Sequence, residues 1–128
     1  MARQIALIER GAAEPVIKVG NLDAERDLTD VRDVARAYVA LMKDGATGRV
    51  YNVASGVAHS IRSLLDALIA RARKPVRVEI DPGRLRVHDA SIVVGDATRL
   101  KEATGWAPAI PLEQTLDDLL EHWRNTLQ

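Results

Sequence analysis

Aliphatic residues return every three or four positions through three long stretches of this sequence, separated by short runs that alternate or are wholly apolar. Val31, Val34, Ala35, Tyr38, Leu41 and Met42 share one side of the first stretch, and Ile61, Leu64, Leu65, Leu68, Ile69 and Ala72 one side of the second. Leu112, Leu116, Leu119, Leu120, Trp123 and Leu127 do the same in the third. A helix with one apolar stripe has to bury it against another element, and short strands have to pair. The pattern therefore predicts a mixed α/β fold, an α+β-like small domain of about five helices and three or four short strands.

Local signals bound these elements. Ala2, Ile5, Leu7 and Ile8 form the side of a short first helix that Gly11 closes, and no capping residue precedes Ala2. A helix already in mid-pattern at Met1 gives the expectation that the chain is cut from a longer one. Val16–Val19 reads as a strand ending at Gly20, and Asn21–Asp27 as a polar loop. Asp30 and Ser60 are N-caps for the first two long helices, and Lys74-Pro75 stops the second. Val50, Tyr51 and Val53 read as a strand, as do Val76, Val78 and Ile80. Asp81-Pro82-Gly83 turns the chain into Arg84–Asp89, Asp96 caps a small helix ending at Gly105, and Pro111 suits the start of the last helix.

The core has to be aliphatic, because the only aromatic residues are Tyr38, Tyr51, Trp106 and Trp123. A hydrophobic fraction of 47% beside a charged fraction of 28% is that of an ordinary globular protein. The 18 basic and 18 acidic residues cancel, so no basic excess exists for duplex nucleic acid or an anionic membrane. With no cysteine, disulfides and thiolate metal sites are excluded. His59, His88 and His122 stand far apart without ligand spacing, so no metal site is expected. No apolar run has transmembrane length and the start lacks a signal sequence, which makes a cytoplasmic location the expectation.

Three segments carry a resemblance. Gly20-Asn-Leu-Asp-Ala-Glu-Arg-Asp27 is followed by Thr29-Asp-Val-Arg-Asp-Val34 at the head of a helix; Gly48-Arg-Val-Tyr-Asn-Val-Ala-Ser-Gly56 is the second; Thr104-Gly-Trp-Ala-Pro108, then Ile110-Pro-Leu-Glu113, is the third. Together they resemble the carboxyl-terminal portion of GDP-mannose 4,6-dehydratases and GDP-4-keto-6-deoxymannose reductases, extended short-chain dehydrogenase/reductases that act on GDP-sugars. The resemblance implies that residues 1–128 are a single nucleotide-sugar-binding domain, without the Rossmann half that holds NAD(P). The family's glycine-rich turn is absent; Gly45-Ala-Thr-Gly48 precedes a strand, not a helix. So is its catalytic Tyr-x-x-x-Lys, since Tyr38 is followed at that distance by Met42 and Tyr51 by Ser55. No catalytic residue and no cofactor are therefore assigned to this chain; NAD(P) belongs to the full-length parent.

The same resemblance points to substrate-binding residues. Arg26 matches an arginine that faces the diphosphate, where a rigid donor fork suits paired phosphate oxygens; the alternative is a surface arginine paired with Asp23 or Asp27. Arg86 and Asp89 stand where the family has Arg-Pro-x-Asp or Arg-Pro-x-Glu, with Val87 in place of the proline, and Arg84 lies two residues earlier. Asn21 and Asn52 end strands, where a site would sit, although asparagine serves its own turn equally well. The expected partner is a nucleoside diphosphate-sugar, completed by a Rossmann half or another protein chain. The second reading is an interaction module, in which a face freed from its partner half dimerises or docks on another protein.

Overall fold

The computed structural model describes residues 1–85 and 90–127. Among these residues five α-helices, α1 (Ala2–Glu9), α2 (Val31–Asp44), α3 (Ile61–Ala70), α4 (Thr98–Thr104) and α5 (Leu112–Thr126), combine with five short strands. These are β1 (Val16–Val19), β2 (Glu25–Asp27), β3 (Ala58–Ser60), β4 (Arg77–Ile80) and β5 (Ile92–Val93). The chain divides into two compact units, one of Met1–Ala24, Ser60–Ser91 and Glu113–Gln128, the other of Glu25–His59 and Ile92–Leu112.

In the first unit β1 and β4 pair in parallel, Val16 against Arg77 through Val19 against Ile80. Ile17 and Val19 are buried while Lys18 between them is exposed, the alternation a strand imposes. Ile5, Ala6 and Ile8 of α1, Leu64, Leu65 and Leu68 of α3, and Leu116 and Leu120 of α5 are also buried. Ser60 caps α3 by accepting the Ser63 amide at 3.0 Å. After α1 the chain turns through Gly11 at φ +74°, with Ala12 N–H on the Leu7 carbonyl and Gly11 N–H on that of Ile8. An ion pair fastens the ends of this unit together. Arg124 donates to both carboxylate oxygens of Glu9 at 2.7 Å, and the Arg73 amide adds a 2.8 Å bond to the same group.

The second unit holds a sheet in the order β3-β2-β5, with β2 and β5 parallel. Here three expectations are corrected. Glu25–Asp27, read as loop, is a strand, because pairing with β3 and β5 satisfies its backbone where side-chain pattern gives no sign of it. Val50, Tyr51 and Val53 form no strand: the Val50 carbonyl accepts from the Arg99 guanidinium at 2.8 Å, and Tyr51 and Val53 pack instead on a cluster of Ala37, Leu100 and Trp106. The third concerns α2. Asp30 caps it through the Arg32 amide, as expected, but the side turned inward carries Asp33 and Ala37. Val34 and Leu41 are half-buried, whereas Val31 is 76% exposed, Tyr38 61% and Met42 86%. The cause is the Asp33 carboxylate, whose partners outweigh an aliphatic stripe.

Candidate functional site

In the first unit the parallel register brings the carboxyl ends of β1 and β4 side by side, and two of the sequence-predicted residues emerge there. Gly20-Asn21 follows β1; Asp81 and the tight turn Pro82–Arg84 follow β4. The Asp81 amide continues the ladder onto the Val19 carbonyl at 2.8 Å. Asp81 then organises the turn, accepting from the Gly83 amide at 3.0 Å and from Arg84 Nε at 3.2 Å. Gly20 has to be glycine, since a Cβ there would stand 2.5 Å from the Arg84 carbonyl oxygen. Asn21 Oδ1 accepts the Asp23 amide at 3.0 Å, which fixes the side chain over its own turn. Arg86 and Asp89 lie outside the described residues.

Arg26 and Asn52 belong to the second unit. Arg26, on β2, donates from Nη1 to the Glu25 carbonyl at 2.7 Å. Asn52 donates from Nδ2 to the Asp96 carbonyl at 3.2 Å, which ties its segment to the start of α4. Of the acids proposed as Arg26 partners, Asp23 meets Arg62 at 3.2 Å. Asp27 instead gathers a loop: it accepts the Ser55 hydroxyl at 2.5 Å and the amides of Ser55, Gly56 and Gly95 at 3.0, 2.9 and 3.1 Å. Burial pushes the Asp27 carboxyl up, but these four donors outweigh it and hold the group below its ordinary value.

Asp33 does for the third motif what Asp27 does for the second. Its side chain is fully buried. One oxygen accepts the amides of Ala109 and Ile110 at 2.9 and 3.0 Å, and the other accepts from Arg36 at 2.6 and 3.1 Å. Its backbone carbonyl takes the Trp106 indole N–H at 3.0 Å. The Thr29–Val34 and Thr104–Pro108 motifs are thus one construction, held by a carboxylate. Sequence reasoning placed Asp33 in a motif without assigning it this task; an acid on a helix side that ends up facing Ala37 was the available signal.

Among the described residues, the junction between β3 and α3 does not fit a dinucleotide cradle. The β3–α3 junction carries no glycine, and the Ser60 hydroxyl already occupies the head of the helix. Among the described residues no group of three His, Cys, Asp or Glu side chains could hold a metal ion, and no helix is long and apolar enough to cross a membrane.

Fold and motif geometry together define the carboxyl-terminal portion of an extended short-chain dehydrogenase/reductase. The chain belongs to the GDP-mannose 4,6 dehydratase family, whose sequence model matches residues 1–119. It is 38% identical over 127 residues to the GDP-6-deoxy-D-mannose reductase of Pseudomonas aeruginosa, a match over 99% of this chain and 42% of that protein. A UDP-glucose 4-epimerase of Mycolicibacterium smegmatis is 33% identical over 103 residues, 80% of this chain and 32% of that protein. The structure of RMD from Pseudomonas aeruginosa complexed with NADPH superimposes with a TM-score of 0.90 at 38% identity, over 98% of this chain and 41% of that one. The chain therefore spans between about a third and about two fifths of the length of these relatives.

Proposed function

We propose that this chain is the nucleotide-sugar-binding lobe of an NAD(P)-dependent sugar-nucleotide reductase or dehydratase, that its ligand is a GDP-sugar, and that residues 1–128 serve as one ligand-binding domain. The observation that carries the reading is the approach of Gly20, which precedes Asn21, to the Arg84 backbone beyond the carboxyl ends of two parallel strands. Ligands of parallel sheets bind outside those ends, where strand order leaves a crevice. Arg84 reaches that edge with its side chain half exposed and its backbone fixed by Asp81 and Gly20. A guanidinium so placed suits a diphosphate. The chain holds, orients and identifies the sugar nucleotide; NAD(P) and the chemical step belong to the rest of the parent. A calorimetric titration with GDP-mannose tests this. Arg84→Ala should weaken binding about tenfold, the effect of one charge-assisted contact. Equal affinity of variant and wild type would remove Arg84 from the site.

A second reading has its own observation. Val31, Tyr38 and Met42 lie along one side of α2 at exposures of 76, 61 and 86%. That stripe suits association, either with another protein chain such as a Rossmann half or with a second copy. Sedimentation should then depend on concentration, and Met42→Lys should abolish the dependence.

A further inference from the structure

Segment 50–54 of the second unit has the side-chain pattern of a strand and none of the pairing. Val50 and Asn52 are exposed while Tyr51 and Val53 pack on Ala37, Leu100 and Trp106, the period of two that extended backbone imposes. Valine and tyrosine are also residue types that favour strands. Yet among the described residues the amides of Val50 to Ala54 donate to nothing, and the carbonyls of Tyr51 to Ala54 accept nothing. A run of unpaired backbone groups is a template for another strand. The same unit has surface to cover: ten of the fifteen exposed large apolar side chains among the described residues belong to it, Val50 at 75% and Val57 at 53% among them.

We infer that this edge pairs with the same edge of a second copy of the chain, antiparallel, about a twofold axis through Asn52. The inference does not depend on the nucleotide-binding reading. The amide and carbonyl of one strand residue point to the same side, and the side alternates along the chain. The Val50 carbonyl is taken by Arg99 of α4, so residues 50 and 52 face α4 and the opposite edge carries Tyr51 and Val53. Antiparallel pairing on that opposite edge sets Tyr51 of one copy against Val53 of the other, twice, and Asn52 against Asn52. Each Tyr–Val pair exchanges both backbone bonds and sets an aromatic ring beside a β-branched side chain. The ladder goes no further, because the Arg49 amide is already bonded to the Ala46 carbonyl and the Ser55 amide to Asp27. A second copy suits the edge because a twofold pairing matches every donor with an acceptor of the same segment. Charge agrees. The only charged residue of 48–56 is Arg49, and the antiparallel register sets it opposite Ser55 of the other copy, in the loop that the Asp27 carboxylate gathers. A parallel in-register pair would bring the two arginines together.

The test places charge on the axis. Asn52 would stand about 5 Å from its counterpart across the pair. Asn52→Lys and Asn52→Asp therefore each set like charges opposite one another, while an equimolar mixture of the two sets opposite charges there. Sedimentation equilibrium over a range of concentrations should show the wild type passing from monomer to dimer mass. Each variant alone should dissociate about tenfold more readily, and the mixture should recover the wild-type association. Because Asn52 is exposed, circular dichroism should show both variants folded. A wild type that stays monomeric up to millimolar concentration would overturn the inference. So would a dimer that both variants leave undiminished, which would assign association to the α2 stripe. A mixture no tighter than the variants alone would also overturn it, since only a twofold axis at Asn52 pairs the two charges. None of these outcomes bears on nucleotide binding, which a GDP titration of the same samples reads separately.

Discussion

Replacing Asp33 by asparagine changes no volume and removes one charge, which makes it a sharp probe of how the second unit is held. The carboxylate accepts from two amides on one oxygen and from the Arg36 guanidinium on the other. An asparagine has one acceptor oxygen and an NH₂, so whichever way it turns, a donor faces donors. About half the bonds are lost, and those that remain lose their charge. Bonds to charged groups are worth roughly 1.5–3 kcal/mol each, and a buried donor left unmatched adds its own cost, so the loss should be about 4 kcal/mol. For a chain of this size that lowers the melting temperature by roughly 15 °C. Burial pushes the Asp33 carboxyl up, yet the amides of Ile110 and Ala109 and the Arg36 side chain outweigh it and hold the group below its ordinary value. A depressed carboxylate stabilises the fold above the unfolded pKa of about 4 and loses that contribution as pH falls through the lower folded value. Urea unfolding followed by circular dichroism, between neutral pH and acid, measures both effects. The wild type should lose stability through the acid range more steeply than Asp33→Asn. A loss at neutral pH below about 1 kcal/mol, or parallel acid limbs, would refute the reasoning.

Three further perturbations follow from the geometry. Arg124→Ala leaves Glu9 buried with its bidentate partner gone; a chemical denaturation curve should show about 3 kcal/mol less stability, and Glu9→Gln combined with it should recover part of that. Gly20→Ala sets a Cβ against the Arg84 carbonyl, so thermal unfolding should come several degrees earlier, with backbone amide shifts concentrated at 81–85. Gly95→Ala would bring its new methyl into that of Ala54 and disturb the amide that Asp27 holds, and hydrogen exchange at Ser55 and Gly56 should accelerate.

Much of the fold was legible where one residue carries a local signal. Asp30, Ser60 and Asp96 all accept amides at the helix starts they were expected to cap, and Gly11 and Gly105 take the left-handed conformation at the ends. The strands after Pro15 and Pro75 form where they were expected, although all four residues of the second are exposed. What failed was whatever depends on a distant partner. The aliphatic stripe of α2 is periodic enough to mislead, because Asp33 finds its donors more than seventy residues away. β2 is polar throughout and becomes a strand only by pairing with β3 and β5. The site divides in the same way: Asn21 was named from a strand end and Arg84 from the Pro-Gly turn before it, while the hold of Asp81 on that turn is seen only in the folded chain.

The central claim is that this chain recognises a GDP-sugar without holding a dinucleotide. A thermal-shift titration with GDP, GDP-mannose, UDP and NADPH tests it most directly, since a ligand that binds only the folded chain raises its melting temperature with concentration. The account predicts a rise with GDP and GDP-mannose, a smaller one with UDP and none with NADPH. A rise with NADPH alone, or no rise with either GDP ligand at millimolar concentration, would contradict it.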